Sequence, residues 1–216
     1  MYAIFFKRII DFILSVIACI VLLPLFLILT ITGAIVMKGN PFFIQRRPGK
    51  IDEKTGQERS ISLIKFRTMT NAKDSRGKLL LDEKRLVPYG QFLRSTSLDE
   101  LPSIWNIVKG NLAICGPRPL LMEYLPRYSL EQRRRHKVRP GLTGYAQAYG
   151  RNSLTWEEKF EKDIFYVDHI SLWLDIKIVF KTVVVVLKRE GISSENSVTM
   201  EEFVGTKNNT DESVRI

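Results

Sequence analysis

The chain has 216 residues and a formal net charge of +10 at pH 7, a length that favours one domain with an appendage. Residues 190–216 are acidic, so the preceding part carries +14, and such a basic body predicts an anionic partner such as nucleic acid, anionic lipid or a phosphorylated metabolite. The two cysteines, Cys19 and Cys115, provide neither a disulfide framework nor a CxxC metal pair, which indicates a reducing compartment.

The first predicted element is an apolar helix interrupted by a proline. Residues 12–37 carry no charge, and at about 1.5 Å per residue one straight helix over this run would cross the roughly 30 Å core of a bilayer. The run is too long for a signal peptide and lacks a small-residue cleavage site. It also lacks the polar face that a helix of a soluble protein would show. Pro24, in the middle of the run, removes a helical hydrogen bond and predicts a bend.

Basic residues on both sides of the apolar run favour a membrane hairpin over a full crossing. They are Lys7 and Arg8 before the run, and Lys38, Arg46, Arg47 and Lys50 after it. Positive charge marks the cytoplasmic side of a membrane, so a helix broken at Pro24 is expected to enter the bilayer, turn and leave on the same face. Ser15 and Thr30 are the candidate donors for the backbone carbonyls that the break leaves free.

The soluble body is predicted to begin with a β-hairpin. Residues 41–50 suit a short strand that runs into a turn, a polar tip follows, and residues 61–69 alternate well enough for a second strand. In that second strand Lys65 and Arg67 share one face, because successive strand side chains point to opposite sides. A polar loop separates the hairpin from the helices.

Four helices are predicted in the rest of the body. The last two have apolar residues at the spacing of amphipathic helices, and Trp173 in the final one suits either a membrane interface or the core. The four are a helix ending near Arg94, a helix over residues 99–109 that ends at Gly110, a helix with Trp156, Phe160 and Ile164 on one face, and a helix within residues 171–191.

The expected fold class is therefore α/β and mostly α. A re-entrant membrane helix-break-helix is expected at residues 1–38, and a compact cytoplasmic domain with a short β-hairpin and amphipathic interface helices at 39–189. Residues 190–216 are expected to form a C-terminal segment, disordered beyond about residue 206 because of its polar composition.

A basic cluster at residues 133–139 has two interpretations. It contains Arg133, Arg134, Arg135, Lys137 and Arg139 around His136. The first interpretation is a solvated helix face. The second is a surface that binds anionic phospholipid headgroups, which suits a chain already anchored in a bilayer.

Asp99 and Glu100 begin the predicted helix at 99–109, and helix capping is their simplest explanation. Ser97 and Glu100 have the spacing of a capping box, but that register places Pro102 inside the helix, where its missing N–H removes a bond. With Asp99 as the N-cap, Pro102 falls where no intrahelical bond is needed. The proline therefore favours Asp99 at the helix start, and capping alone would account for an aspartate there.

The cations around Asp99 favour a chemical role as well. A helix N-terminus stabilises negative charge and phosphate, Arg94 and Arg118 are near in sequence, and arginine binds phosphate oxygens bidentately. An ionised carboxylate beside an activated phosphate suits aspartyl-phosphate chemistry, and it attracts Mg²⁺, which binds carboxylate and phosphate oxygens together. Adjacent helical carboxylates point about 100° apart, so we expect one nucleophile and one supporting or acid/base group.

The chain resembles the bacterial sugar transferase family, in particular its small monotopic polyprenyl-phosphate phosphoglycosyl transferases. The resemblance covers nearly the whole chain and rests on IKFRTM at 64–69, LDELP at 98–102, GPRP at 116–119 and RPGLTG at 139–144. It implies a re-entrant helix and an active site on the cytoplasmic face of the bacterial inner membrane. It also implies Mg²⁺-dependent transfer of a sugar-1-phosphate from a UDP-sugar to undecaprenyl phosphate, with release of UMP.

The resemblance also implies roles for individual residues. Asp99 would attack the sugar-proximal phosphorus, bind Mg²⁺ and carry the phosphosugar until the lipid phosphate takes it, with Glu100 as its dyad partner. Lys65, Arg94 and Arg118 match the family's phosphate-region cations, Arg151 its nucleotide-side arginine, and Pro24 its helix-breaking proline. The chain departs from the family in two places, since Leu23 stands where serine is common and Ala148 precedes a YGRN segment that replaces VNGRN.

Other functions stay open at this point. One is direct transfer through a ternary complex in which Asp99 only holds Mg²⁺, and another is a membrane-tethered basic adaptor without catalysis. The lack of a reader motif argues against nucleic acid as a partner. The likeness of residues 193–203 to small family members favours an N-acetylated amino sugar such as diacetylbacillosamine, as part of glycan or glycoprotein assembly. The oligomeric state is open, with a homodimer among the options.

Overall fold

The computed structural model describes residues 1–150, 153–188 and 202–205. After a π-helical turn at Tyr2–Phe6, the apolar N-terminus forms two helices, α1 (Lys7–Val21) and α2 (Leu23–Val36). They are bent by 63° with respect to each other, and Pro24 lies in the first turn of α2. Within the described residues no single helix has the length and apolarity to cross a membrane, whereas the bent pair taken together does by length and composition.

The backbone at the bend finds its hydrogen bonds locally, so the expectation that Ser15 and Thr30 serve the break is wrong. The Leu22 N–H donates to the carbonyls of Ala18 and Ile20. In a regular helix Ile20 O would accept from residue 24, but Pro24 has no N–H to donate. Ser15 Oγ instead donates to Phe12 O at 2.9 Å and Thr30 Oγ1 to Phe26 O at 2.7 Å. Both hydroxyls therefore bond within their own helices.

The predicted β-hairpin is present, with a longer first strand. Strand β1 (Phe42–Ile51) pairs antiparallel with β2 (Glu58–Phe66), and Phe43 lies opposite Lys65. The strand continues through residues that the sequence analysis assigned to a turn, because the turn comes later, at residues 52–57. The polar tip and the position of Lys65 in the second strand are confirmed.

The rest of the body consists of short helices around a two-stranded parallel sheet. The predicted helix ending near Arg94 is present, whereas the predicted helix at 99–109 is divided into a 3₁₀ segment and a short α-helix. The elements are α3 (Asp82–Arg85), α4 (Pro88–Ser95), the 3₁₀ segment Leu98–Ser103, α5 (Ile104–Val108), β3 (Ala113–Cys115), a 3₁₀ segment Met122–Arg127, α6 (Leu130–Arg133), a 3₁₀ segment Arg134–Lys137, β4 (Gly141–Thr143), α7 (Tyr145–Ala148), α8 (Trp156–Asp168) and α9 (Leu172–Leu187).

The apolar helix pair is packed onto the body. Leu29 of α2 forms one core cluster with Phe66 of β2 and Leu93 of α4. At the start of α1, Arg8 donates from its two terminal nitrogens to Ile107 O at 2.6 Å and Val108 O at 2.8 Å, the last carbonyls of α5. The last carbonyls of a helix have no partner inside it. Arg8 donates to both of them, and the Gly110 N–H also donates to Ile107 O, at 2.9 Å.

Buried charges also join α1 to α9. Lys7 Nζ lies 2.6 Å from Asp175 Oδ2, and both side chains are buried. Tyr166 of α8 donates to the other oxygen of Asp175 at 2.7 Å. A buried ion pair of this kind needs well-placed partners to offset its desolvation, and here three helices supply them.

Three consecutive arginines of the basic cluster at residues 133–139 form ion pairs with acidic residues of the body. The pairs of Arg133 and Arg134 are partly exposed and that of Arg135 is buried, so both interpretations from the sequence are wrong for Arg135. Arg133 pairs with Glu58 of β2 at 2.6 Å, and Arg134 pairs with Glu131 and Asp168. Arg135 is buried and pairs with Asp163 of α8 at 2.5 Å. His136 is also buried, and desolvation, with Arg135 adding to it, lowers its pKa to about 3.

The two C-terminal helices differ in how they are buried. Helix α8 begins with a capping box between Thr155 and Glu158 and buries Phe160. Helix α9 buries Ile178 on one side and exposes a broad apolar face on the other. Trp173 belongs to that exposed face, with 65% of its surface accessible, so its core interpretation is wrong.

Candidate active site

The backbone that carries Asp99 and Glu100 is a tight 3₁₀ segment and not the start of an α-helix. Ser97 precedes it in the left-handed conformation, with φ of 57°, and makes no side-chain cap. The Glu100 N–H bonds to Ser97 O at 3.3 Å. Asp99 is therefore the second residue of the segment and not its N-cap, which removes capping as an explanation for either carboxylate.

The segment is held in place by hydrogen bonds to strand β2. Ser103 Oγ donates to Ile64 O at 2.8 Å. The Asn106 side chain donates to Ser62 O at 2.7 Å and accepts from the Ile64 N–H at 3.3 Å. Both polar side chains are almost fully buried, so the two carboxylates are fixed relative to the face of β2 from which Lys65 projects.

Glu100 is held by two cations. Its Oε1 atom lies 2.6 Å from Lys65 Nζ and 2.6 Å from Arg118 Nη2. Burial raises the pKa of this carboxyl, but the attraction of Arg118 and Lys65 is larger, so the net shift is well below the ordinary value. Glu100 is therefore ionised, and its carboxylate is paired with Lys65 and Arg118.

Asp99 has the opposite environment. Within the described residues its carboxylate has neither a hydrogen bond nor an ion pair. Desolvation and the negative charge of Glu100 raise its pKa, and Lys65, Arg118 and Arg94 oppose that shift only in part. The half-buried Asp99 is thus the available carboxylate of the two.

Both carboxylates line a cleft of about 920 Å³. Eight basic and three acidic side chains line it, so the cleft suits an anionic ligand. Arg94 lies on its wall and is oriented by a 3.1 Å bond from its Nε to Thr68 Oγ1. The predicted site residues Lys65, Arg94, Asp99, Glu100 and Arg118 all line this one cleft. Arg151 lies outside the described residues.

Three further residues on the cleft wall were missed by the sequence analysis. Each of Arg47, Gln147 and Trp156 has a buried polar atom, namely Nε, Oε1 and Nε1, that finds no hydrogen-bond partner among the residues the structure describes. Unpartnered buried polar atoms are uncommon, so these three side chains are candidates for contacts with a ligand after a small rearrangement. Desolvation and the charge of Arg118 lower the pKa of Arg47 to about 10. Strand alternation could have found Arg47, since it shares the face of Phe43, which lies opposite Lys65.

The end of the described chain packs beside the same cleft. Phe203 is almost fully buried among Tyr124, Trp156 and Phe160. Arg127 holds this segment by donating to Phe203 O and to Glu202 Oε1. Residues 202–205 thus support the wall that Trp156 contributes. The predicted disorder beyond residue 206 falls outside the described residues.

The site can provide one ligand for Mg²⁺. Within the described residues no group of three or more His, Cys, Asp or Glu side chains is placed to hold a metal. Mg²⁺ is commonly bound by one or two carboxylates together with substrate phosphates. The unengaged carboxylate of Asp99 fits that requirement, whereas Glu100 is occupied by Lys65 and Arg118.

The structure combines a cationic cleft, in which Glu100 is paired and Asp99 is not, with a bent apolar helix pair packed on the same body. The chain belongs to the bacterial sugar transferase family, because the sequence model of that family matches residues 2–189.

Several curated relatives agree with this assignment. An uncharacterized sugar transferase, EpsL, of Bacillus subtilis is 52% identical over 78% of this chain and 81% of its own length. A UDP-glucose:undecaprenyl-phosphate glucose-1-phosphate transferase of Klebsiella pneumoniae is 39% identical over 82% of this chain and 39% of its own. A UDP-N-acetylgalactosamine-undecaprenyl-phosphate N-acetylgalactosaminephosphotransferase of Aeromonas hydrophila is 33% identical over 85% of this chain and 44% of its own length. The chain thus spans less than half the length of these two named transferases.

Proposed function

We propose that this chain transfers a sugar-1-phosphate from a UDP-sugar to undecaprenyl phosphate and releases UMP. The names of the relatives from Klebsiella and Aeromonas support this reaction class. The observation that carries the proposal is the contrast between Asp99 and Glu100 in one cationic cleft. A nucleophilic carboxylate must be free to attack. Of the two carboxylates, only that of Asp99 has neither a hydrogen bond nor an ion pair within the described residues.

The reaction proceeds in two displacements at phosphorus. An oxygen of Asp99 attacks the phosphorus that bears the sugar, a new P–O bond forms, and the P–O bond to UMP breaks with its electron pair leaving on UMP. The phosphosugar remains joined to the Asp99 carboxylate as an acyl phosphate. A phosphate oxygen of undecaprenyl phosphate then attacks the same phosphorus, which gives undecaprenyl diphosphate-sugar and restores the Asp99 carboxylate. Covalent catalysis thus divides one transfer into two easier steps.

The cations position and neutralise the diphosphate. Arg94 and Arg118 bind phosphate oxygens through planar guanidinium groups, and Lys65 adds a point charge on the same wall. Bound Mg²⁺ at Asp99 would neutralise charge on the diphosphate oxygens. Arg151 is proposed as a nucleotide-side residue from the family resemblance alone.

The bent pair α1 and α2 is proposed to enter the cytoplasmic face of the bacterial inner membrane and to leave on the same face. The exposed apolar surface of both helices and the 63° bend support this topology. A lipid substrate makes such an anchor useful, because it brings the cleft to the bilayer surface. Cysteine accessibility tests it, and labelling at position 1 from the outer face would show a full crossing.

The sugar is proposed to be N-acetylated, with diacetylbacillosamine as the leading candidate, in the first membrane step of a glycan or glycoprotein pathway. This rests on the likeness of residues 193–203 to small family members. One or two contacts set such specificity, so a screen of UMP release over UDP-sugars is the direct test. The adaptor alternative loses its main support, because Arg133, Arg134 and Arg135 are paired within the protein.

Covalent trapping tests the proposed mechanism. The protein is incubated with a UDP-sugar labelled in its sugar and without lipid acceptor, and label bound to the denatured protein is counted. Stoichiometric label and an equal amount of UMP are expected. Turnover with acceptor but no label without it would favour the ternary complex, and absence of UMP with every UDP-sugar would favour the adaptor.

A further inference from the structure

The last described residues, 202–205, pack beside the active-site cleft although they lie outside the region that defines the family. The family model ends at residue 189, whereas Phe203 is 1% exposed and belongs to a buried aromatic cluster of the body. Arg127 fixes the backbone at this point by donating to Phe203 O, and it pairs with Glu202 at 2.7 Å. The segment is therefore attached through its backbone as well as through its aromatic side chain.

Phe203 forms the back of one wall of the cleft. Its ring centroid lies 5.3 Å from that of Trp156 and 5.7 Å from that of Tyr124. Both of these side chains line the cleft, as do Leu120 and Leu121, which pack against the same aromatic cluster. The buried indole nitrogen of Trp156 finds no partner among the described residues. Phe203 thus lies one layer behind the surface that a ligand would contact.

A chain of direct contacts also connects Phe203 to Glu100. The ring of Phe203 lies 5.0 Å from that of Phe160, and the guanidinium carbon of Arg135 lies 5.5 Å from the centre of the Phe160 ring. Arg135 Nη2 donates to Arg118 O at 2.7 Å, and Arg118 Nη2 donates to Glu100 Oε1 at 2.6 Å. Because protein interiors are close-packed and transmit strain, the position of Arg118 depends on the packing that Phe203 completes.

We propose that Phe203 is a positioning residue of the active site, which holds Arg118 and Trp156 where they contact the UDP-sugar. This inference rests on the proposed function. Loss of a large buried side chain leaves a cavity into which its neighbours partly relax. A misplacement of about 1 Å can lower a reaction rate about a hundredfold. The contribution of Phe203 is therefore to catalysis, although its own side chain carries no polar group.

Substitution of Phe203 in the full chain tests this inference. Phe203→Ala removes the ring and leaves the backbone carbonyl to which Arg127 donates. Val204→Ala is the matched control, because Val204 is 82% exposed in the same segment. With labelled UDP-sugar and no acceptor, kcat/KM for label trapping is expected to fall at least about tenfold in Phe203→Ala and to stay near that of the unmodified protein in the control. Phe203→Leu, which keeps much of the apolar volume, is expected to restore most of the rate.

The final amount of trapped label separates positioning from loss of folded protein. Each folded active site takes one phosphosugar, so the label per protein counts the folded sites. A reduced rate with the same final amount as the unmodified protein is expected for both Phe203 variants. A final amount that falls in proportion to the rate would show that Phe203 only stabilises the fold, and it would overturn the inference.

Fluorescence of Trp156 gives a second measurement that needs no turnover. With Trp105→Phe and Trp173→Phe, Trp156 is the one tryptophan left in the chain. Its quenching constant with acrylamide is expected to rise about twofold on Phe203→Ala, since removal of a buried ring opens space beside the indole.

Equal trapping rates for the alanine variants of Phe203 and Val204, or equal quenching of Trp156 in both, would also overturn the inference. UMP release by the unmodified protein reports separately on the proposed function, because it does not depend on either variant.

Discussion

The carboxylates of Asp99 and Glu100 are adjacent in the chain, yet the protein shifts their pKa values in opposite directions. Glu100 accepts hydrogen bonds from Lys65 and Arg118, whose charges hold its pKa low despite burial. Desolvation and the charge of Glu100 itself raise the pKa of Asp99. Two residues with such different environments have different roles, and the predictions below follow from that difference.

Asp99→Asn is expected to abolish transfer. Asparagine has nearly the same shape and removes no hydrogen bond within the described residues, so the fold is retained, but an amide does not form the acyl phosphate. UMP release is expected to fall by at least about a thousandfold, and label trapping to disappear. Robust activity in this variant would exclude the covalent route.

Glu100→Gln is expected to impair the enzyme without abolishing it. The substitution removes the charge that holds Lys65 and Arg118 in place. It leaves Asp99, the proposed nucleophile, unchanged. Trapped label is expected to accumulate more slowly but to the same final amount. A complete loss of label with a native melting profile would instead assign the nucleophile to Glu100.

The acid side of the pH profile is expected to report on Asp99. A carboxylate nucleophile acts in its ionised form, so the rate of label trapping falls as pH drops through the pKa of Asp99, which lies above its ordinary value of 3.8. Arg94→Gln removes a charge that lowers this pKa and moves the acid limb to higher pH. Glu100→Gln removes a charge that raises it and moves the limb to lower pH. Shifts of the same sign in both variants would contradict this electrostatic account.

Arg47 is expected to bind the anionic substrate. Its Nε has no partner in the described part of the chain, its Nη2 donates to Gln45 Oε1 at 2.6 Å, and the charge of Arg118 acts on it from the same cleft wall. Arg47→Gln is expected to raise KM for the UDP-sugar about tenfold, which corresponds to about 1.4 kcal/mol. Arg46→Gln is the matched control, because this neighbour is exposed and on the other face of β1. The same KM change in both variants would indicate a general effect of charge.

Arg135 is expected to be essential for stability and not for lipid binding. Removing one partner of the buried pair with Asp163 leaves an uncompensated charge, which costs about 3–5 kcal/mol. Arg135→Met is therefore expected to lower the melting temperature strongly, and Asp163→Leu in addition is expected to restore part of it. Lys137→Gln, at an exposed position, is expected to have little effect. Loss of vesicle binding in Arg135→Met with an unchanged melting temperature would contradict this prediction and would support a surface that binds lipid headgroups.

The elements that could be predicted from the sequence depend on local chemistry. Alternation in residues 61–69 predicts a strand because side chains alternate with period two, and the strand is present but begins earlier and ends at Phe66. Proline at position 24 predicts a break because it lacks an N–H. The helix at 99–109 was predicted as one piece because its pattern does not show that Ser97 adopts a left-handed conformation and that a 3₁₀ turn follows.

The partners of charged residues could not be predicted in the same way. Arg133 pairs with Glu58, 75 residues away, and Arg135 with Asp163, 28 residues away. A run of arginines that looks like a free surface in the sequence is therefore paired in the fold, with partly exposed partners for Arg133 and Arg134 and a buried partner for Arg135. The site residues were found through motif resemblance, but the opposed environments of Asp99 and Glu100 depend on where strand β2 places Lys65.

The contact of Arg8 with the end of α5 bears on how this enzyme should be prepared. Its guanidinium supplies both terminal carbonyls of the helix that directly follows the nucleophile's segment. A fragment beginning after residue 38 would lose both Arg8 donors, which leaves Ile107 O with only the Gly110 N–H at 2.9 Å, and would uncover the apolar side of the hairpin. Extraction in detergent or nanodiscs with an intact N-terminus is accordingly expected to preserve the geometry of the active site as well as solubility.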